Sequence, residues 1–499
     1  MGSGSSASSD HRSPDDQNTK KDDWRAKLER AKRLHRPSLD DWGEEELYKT
    51  FPAFREQLAE EDNYQSFFLH EAQQVEAQQQ TQESSIPVRI NGASLRPEDF
   101  HRYELESIPA VIKGITLGFD GGRSTTPWPG HQRWQLKNLE NDESLLDRMF
   151  KCGEDDDGKN IKVKLRHFLN YLYDNKDDSP LYIFDTSFED DKLGRRILKD
   201  YRVPSYFQDD LFSLVSENRR PPYRWWLCGP ERSGTCVHID PLATSAWNTL
   251  VVGQKRWVVF PPGIAKSIVK GKGLVRDDED DEAIQYFMYI LPRIKRKAAS
   301  LRHKPEYKDF CCYEFTQNPG ETVFIPNGWW HAVLNLTHTV AITQNFCSPR
   351  NFDAVWEKTR TGRKKLAWKW LKQLEIKYPD LAERAKAINA KDDFRMKYDP
   401  VEIERREREE QQRKQRRKER KRHKEMAASQ PMGGGIKAYS SYQSTPGASM
   451  HEESTTSIAD LPSSSPRSST PTKRSRREND DEHHPTVSPP SSLEGDSSM

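Results

Sequence analysis

Long apolar runs are missing from this sequence: no segment approaches 18 consecutive apolar residues, so nothing in it reads as a membrane-spanning helix. The start, MGSGSSASSD, has no apolar core of the kind a secretory signal needs, which disfavours a cell-surface receptor and points to a soluble intracellular protein. Gly2 and Ser6 do fit the loose N-myristoylation pattern, a fit that Ser-rich starts produce by chance. Cysteine is sparse, and Cys152, Cys228, Cys236, Cys311, Cys312 and Cys347 include no C-x-x-C pair. They read as free thiols in a reducing compartment, and the adjacent Cys311 and Cys312 lack the further ligands zinc would need. An excess of either charge is also absent, since the formal net charge is +1. Net charge therefore names no partner, although its distribution is uneven, with an acidic run at Asp277–Glu282 and basic stretches at Arg413–Lys424 and Lys473–Arg477.

Apolar residues make up 33% of the 499 and charged residues 31%, so much of the chain must lie outside a core. Residues 1–23 read as a disordered terminus, and 24–99 as a helical region with a linker. Helical composition appears at Trp24–Arg36 and again over 53–82. Residues 100–350 hold the main domain and 351–400 C-terminal helices. Residues 401–499 form a charged, Ser/Pro-rich disordered tail, whose run EIERREREEQQRKQRRKERKRHKE has no apolar stripe and is a solvated helix or disorder. Leu366, Trp370, Leu374 and Tyr378 recur at four-residue intervals. That aromatic face packs on the main domain or, left exposed, would suit a homodimer contact.

Within the main domain, short β-branched and aromatic runs such as LYIFD (181–185), TLVVG (249–253), RWVVF (256–260) and ETVFIP (321–326) alternate with Gly and Pro. This pattern predicts a mainly β fold, a sandwich or barrel, with helical additions.

The densest chemistry lies in RSGTCVHIDPLATSAWNTLVVGQKRWVVF (232–260). On a strand, alternate side chains share a face, so His238 and Asp240 would aim an imidazole and a carboxylate at one point. His331, delivered by the turn in GETVFIPNGWWHAVLNL, supplies a third ligand. Two histidines and one carboxylate on one side of a metal leave its opposite positions open, the arrangement non-haem iron(II) uses. Lys255 follows a Gly253–Gln254 turn expected to fold its strand back against the one carrying Asn248. A buried lysine there needs an anion, which a dicarboxylate provides. Farther on, THTVAITQNF places Thr339, Ala341, Thr343 and Asn345 on one face and Val340, Ile342 and Phe346 on the other, as in a lined pocket.

FKCGEDDDG (150–158), DDSPLYIFD (177–185), RRPPYRWW (219–226), GPERSGTCVHIDPLATSAWN (229–248), GQKRW (253–257), NGWWHAVLNL (327–336) and AITQNF (341–346) together resemble the jumonji-C oxygenases. The resemblance is closest to their nuclear branch, which combines arginine demethylation with lysyl hydroxylation, and it covers about residues 100–390. It implies a double-stranded β-helix, a cupin-like jelly roll. It implies Fe(II) on His238, Asp240 and His331, with 2-oxoglutarate and O2 as co-substrates. Lys255, Thr343, Asn248 and Tyr182 would contact 2-oxoglutarate, Thr235 the co-substrate or the substrate, and Trp225 and Asn345 would line the pocket. Protein substrates rich in Lys and Arg follow, histones and splicing-type proteins among them; the acidic run Asp277–Glu282 is a solvated loop or would attract them. Against the family pattern, Glu231 replaces a proline, Cys236 and Ala243 replace glycines, and Gln254 replaces a histidine. None is a proposed ligand, but Glu231 adds a carboxylate near the substrate mouth. The long serine tract of vertebrate relatives is missing, and RTGRKK (360–365) lacks a minor-groove hook.

The basic clusters serve as nuclear-import signals or as an RNA-binding tail, and they lack the interleaved aromatics of a single-strand binder. An RNA- or chromatin-associated protein with a catalytically silent barrel is the competing reading. Retention of all three ligands argues for an enzyme, and the import signals place it in the nucleus.

Overall fold

The computed structural model describes residues 24–37, 42–61, 86–216, 220–277, 279 and 282–428. The chain divides into two compact units, Met1–Arg422 and His423–Met499, and the second contributes only the last residues of a helix to the described set.

The strands run β1 (Val88–Asn91), β2 (Ala110–Lys113), β3 (Phe119–Asp120), β4 (Arg123–Ser124), β5 (Met149–Glu154), β6 (Asn160–Lys164), β7 (Ile183–Asp185) and β8 (Arg224–Gly229). They continue with β9 (Gly234–His238), β10 (Ser245–Val252), β11 (Lys255–Phe260), β12 (Tyr313–Gln317), β13 (Thr322–Ile325), β14 (Trp330–Asn335) and β15 (Thr339–Phe346). Two sheets form the barrel, one ordered β1-β2-β13-β10-β15-β8-β7 and the other β12-β11-β14-β9. All their pairings are antiparallel except β1 with β2. This is the expected jelly roll, and β1 brings its first strand forward to Val88.

Both faces of each sheet are covered, which is why runs such as Lys255–Phe260 are buried throughout instead of alternating. Inside, Val111, Trp257, Val259, Val323, Ile325 and Val333 join the two sheets in one cluster. Outside the large sheet, Trp226, Trp247, Val340, Ile342 and Phe346 pack under Phe100, Trp134, Phe168 and Phe207. Helix α1 (Trp24–His35) adds Leu28 to that layer, and α2 (Leu47–Glu61) lays Leu47, Phe51 and Leu58 over Val258, Phe260, Ala332 and Leu334 of the small sheet. The segment before β7 pins both helices. Asp177 pairs with Lys32 at 2.7 Å, and Asp178 accepts the backbone N–H groups of Glu45 and Leu47 at 2.8 and 2.6 Å, where α2 begins.

Several expectations change here. Gly253–Gln254 does not close a hairpin: β10 pairs with β13 and β15 while β11 pairs with β12 and β14, so the turn is a corner between sheets. Both hydrogen-bonding edges of each strand are already taken. Gly253 has φ 85°, and a side chain there would meet the His338 carbonyl. The helix expected over 53–82 is seen as Leu47–Glu61, and its continuation lies outside the described residues. The charged run of the tail is helical over Pro400–Ala428, stabilised by i,i+4 pairs such as Arg406–Glu402 and Lys414–Glu410. Gly2 and Lys473–Arg477 lie outside the described residues.

The C-terminal helices α3 (Phe352–Gly362), α4 (Lys364–Lys377) and α5 (Pro379–Lys391) use the aromatic face themselves. Leu366, Trp370 and Leu374 are buried with Phe352, Trp356 and Phe212, while Tyr378 falls past the helix end and is exposed. Three of the four stripe residues are therefore consumed within the chain, and Tyr378 alone is left exposed. Trp370 is fully buried, stacks on Phe212 at 4.6 Å between ring centroids and donates Nε1–H to the Leu211 carbonyl at 3.0 Å. Replacing it by Ala is expected to destabilise the protein by about 3–5 kcal/mol in urea unfolding. A loss below about 1 kcal/mol would mean that this seam is not part of the cooperative core.

Candidate metal centre

His238 is the last residue of β9 and His331 the second of β14, and the two face each other directly across the antiparallel pair. Their ring centroids lie 4.2 Å apart. Asp240 stands outside the strand expected to carry it, in extended backbone (φ −59°, ψ 141°) just before a short helical turn at Pro241–Ala243. That backbone still aims its carboxylate at both rings, with Oδ1 3.9 Å from His238 Nε2 and Oδ2 4.0 Å from His331 Nε2. One ligand atom from each residue lies within 4.8 Å of the other two.

The far ring nitrogens fix the tautomers. His238 Nδ1 sits 2.8 Å from the Cys236 carbonyl and His331 Nδ1 3.2 Å from that of Trp329. A carbonyl only accepts, so each Nδ1 carries the proton and each Nε2 offers a lone pair to the centre. Burial pushes the His331 imidazole down to about 4, with His238 acting in the same sense, which keeps it unprotonated near neutrality.

Asp240 Oδ2 is buried without a hydrogen-bond partner among the described residues. A bare carboxylate oxygen facing two imidazole lone pairs is costly unless a cation lies between them. Bonds of about 2.0–2.2 Å would draw the three side chains slightly inward. With three protein ligands on one side, the remaining positions stay open, which fits Fe(II) better than a closed structural zinc site.

Deeper in the barrel, Asn248, Thr343 and Trp225 lie side by side across β10, β15 and β8. The next row is Leu250, Ala341 and Leu227, on which Tyr182, Phe184 and Trp225 pack. From the opposite sheet, Lys255 is 1% exposed, and its Nζ donates to the Tyr182 hydroxyl at 3.1 Å. No carboxylate pairs with it among the described residues. Burial lowers the Lys255 ammonium from its ordinary 10.5 to about 7 and pushes the neighbouring Cys228 thiol up to about 12. Thr343 donates its hydroxyl to the Trp247 carbonyl at 2.8 Å, so binding an anion requires that O–H to rotate. Thr235 is cross-strand to Val333 on the same inner face. Asn345 shares the face of Thr343, but its amide donates to Thr244 Oγ1 at 3.0 Å and braces the loop after Asp240.

One inner residue escaped the sequence reading. Asn335 is a cross-strand neighbour of Lys255, fully buried, and among the described residues its Oδ1 has no partner, nor does Asn248 Oδ1. Its signal was the period of two in HAVLN, which puts Asn335 on the face of His331.

Some of the carboxylates expected to act on substrate have internal partners. Glu231 lies at the opposite end of β9 from His238, and its carboxylate pairs with Arg55 of α2 at 3.1 Å and with Arg232 at 2.9 Å. It fastens the N-terminal helix instead of lining the mouth. Of the acidic run, Glu279 pairs with Arg293 and Glu282 with Arg36, while Asp278, Asp280 and Asp281 lie outside the described residues.

A family model described as JmjC domain, hydroxylase, matches residues 225–346. A bifunctional arginine demethylase and lysyl-hydroxylase of Caenorhabditis elegans is 40% identical over 303 residues, 60% of this chain and 71% of that protein. The chain belongs to the JmjC-domain hydroxylases. An arginine-specific demethylase of Arabidopsis thaliana is 31% identical, over 62% of this chain and 59% of its own length. A 2-oxoglutarate and iron-dependent oxygenase of Drosophila melanogaster is 28% identical over about a third of each chain. Membership makes this JmjC protein a 2-oxoglutarate-dependent oxygenase, with Fe(II) as metal and O2 as second co-substrate.

The state of Lys255 is open to measurement. Between its folded value near 7 and its unfolded value of 10.5 the unfolded chain binds more protons, so stability rises with pH across that window. The penalty is complete below the folded value and gone above the unfolded one. Lys255→Met is expected to stabilise the ligand-free protein by about 3–5 kcal/mol near pH 6, with the gain vanishing above pH 10.5. An equal gain at both ends would show that the ammonium already has an anion.

Proposed function

We propose that this JmjC hydroxylase oxidises cationic side chains of protein substrates, hydroxylating lysyl carbons and removing methyl groups from methylarginine. The observation that carries the reading is the pairing, on one inner surface, of a three-ligand metal centre with a sealed lysine. Val259 of β11 is level with His331, and Lys255 lies four residues away along the same strand. That is about 13 Å of backbone. The imidazole reaches in from one end and the lysyl stem from the other, which leaves room for a short dicarboxylate.

In this reading His238, Asp240 and His331 hold Fe(II), and Lys255 binds the distal carboxylate with Tyr182. Asn248 and Thr343 position the chain of the co-substrate, with Asn335 added beside Lys255. Fe(II) with 2-oxoglutarate and O2 would supply oxidation of an unactivated C–H bond, one oxygen atom going to the substrate and the other to succinate, with CO2 released. The apolar walls of Leu227, Leu250 and Ala341 exclude water around that chemistry. Hydroxyl on a lysyl carbon is a stable product, whereas on an N-methyl carbon the adduct releases formaldehyde. The worm and plant relatives, named for arginine demethylation and, in the worm, lysyl hydroxylation, support this substrate class.

Purified protein with Fe(II) and ascorbate is expected to convert 2-oxoglutarate to succinate in the presence of a Lys- or methylarginine-containing, Arg/Ser-rich peptide. His238→Ala should abolish turnover, and unchanged turnover would refute the metal assignment. Lys255→Ala should raise KM for 2-oxoglutarate at least about 30-fold, the equivalent of 2 kcal/mol for an unpaired buried charge. Peptide mass separates the two reactions: gain of one oxygen marks hydroxylation, and loss of a CH2 unit marks demethylation.

For the tail, the exposed basic segment Arg413–Lys424 supports nuclear import, with RNA association as the second reading. Histones and RNA-processing proteins are then the accessible substrates. Deleting residues 401–499 is expected to leave peptide turnover near the parent value and exclude the protein from the nucleus. Loss of RNA binding with nuclear localisation retained would favour the second reading.

A further inference from the structure

Between Asp240 and β10 the chain makes a tight turn, Pro241–Thr244, closed by the Thr244 N–H on the Pro241 carbonyl at 3.3 Å. Both central residues have positive φ, 57° at Leu242 and 54° at Ala243. Turns of that hand favour Gly, Asn and Asp, because an ordinary side chain crowds its own backbone there. Leucine and alanine do not select this turn locally, so something outside it must.

The surrounding contacts identify what does. Leu242 is partly buried and packs against the cluster that includes Phe352, Trp356 and Trp370. Its Cδ2 stands 3.8 Å from the position a Cβ on Gly362 would occupy. At the other end of the turn, Ser245 Oγ accepts Nδ2–H of Asn351 at 2.9 Å and the Asn327 N–H at 3.1 Å. Asn351 immediately precedes α3 and Gly362 ends it, so this helix runs along the turn and reaches both ends. From the barrel side, Asn345 donates to Thr244 Oγ1, which donates to the Pro241 carbonyl at 2.9 Å. Asp240, next to this turn, has a buried Oδ2 with no partner among the described residues to orient it.

We propose that Leu242 is a positioning residue for Asp240: its partly buried side chain, packed against the cluster that α3 helps to form, selects the left-handed turn that aims the Asp240 carboxylate at the two imidazoles. This inference rests on the metal assignment above. Partners that orient a metal ligand typically change affinity by about 10–100-fold, and here a turn anchored by packing takes the place of a hydrogen bond.

Co(II) titration of the full-length protein without co-substrate, followed by its visible absorption, tests the idea. Leu242→Ala is expected to weaken Co(II) binding about 10-fold or more and to change the absorption bands. Leu242→Met, which refills the pocket, should restore affinity to within about 2-fold and recover the parent spectrum. Leu242→Asn suits the left-handed backbone but not the apolar pocket, so it should behave like Leu242→Ala. Should Leu242→Ala fail to fold, Leu242→Val is read by the same criteria. Parent affinity and spectrum in folded Leu242→Ala or Leu242→Val, no rescue by Leu242→Met, or parent affinity in Leu242→Asn would each overturn the positioning role. Absence of Co(II) binding by the parent, or its persistence in His238→Ala, would instead overturn the metal assignment and this inference with it.

Discussion

The ammonium of Lys255, sealed between two sheets with a phenol as its hydrogen-bond partner, sets the condition under which this barrel works. An uncompensated buried cation is expensive, and a stable fold tolerates one where a ligand completes it. At the other end of the same inner surface Asp240 Oδ2 is left bare in the opposite sense. The barrel therefore holds two unfinished electrostatic sites of opposite sign. In the proposed reading a metal ion would complete the one and a carboxylate of the co-substrate the other.

Closing the barrel tightly enough to hold such groups falls to elements outside it. The outer face of the small sheet is sealed by Leu47, Phe51 and Leu58 of the N-terminal helix, and that of the large sheet by the aromatic layer around Phe207 and Trp134. Glu231 belongs to this sealing function, since it ties Arg55 to the base of the barrel. The C-terminal helices bury their aromatic stripe against Phe212 and the turn at Leu242. The appended helices and the site are thus mechanically one object.

What the sequence disclosed was whatever depends on nearest neighbours along the chain. Alternation on a strand was enough to place Thr343 on the inner face, and the turn before Trp330 was enough to deliver His331 to a strand start. Asp240 was rightly grouped with His238 but for the wrong local reason, since extended backbone continues past the end of the strand. What remained hidden depends on pairing across long separations. Nothing local says that β10 and β11 belong to different sheets, that Asn335 stands opposite Lys255, or that Glu231 meets Arg55. Leu242 was invisible for a related reason: its backbone contradicts its residue type, and only tertiary packing resolves the contradiction.

The corner at Gly253–Gln254 has a kinetic side. Because β10 and β11 part there, they cannot zip up with each other, and both wait for strands that arrive after the long helical excursion between Phe260 and Tyr313. Closing so large a loop before any ladder forms is entropically costly, and topologies of this kind fold slowly. His331 lies on one of the late strands. During synthesis on the ribosome, His238, Asp240 and Lys255 therefore emerge well before the strand that completes them, and the nascent chain must remain unaggregated through that interval without its metal-binding geometry.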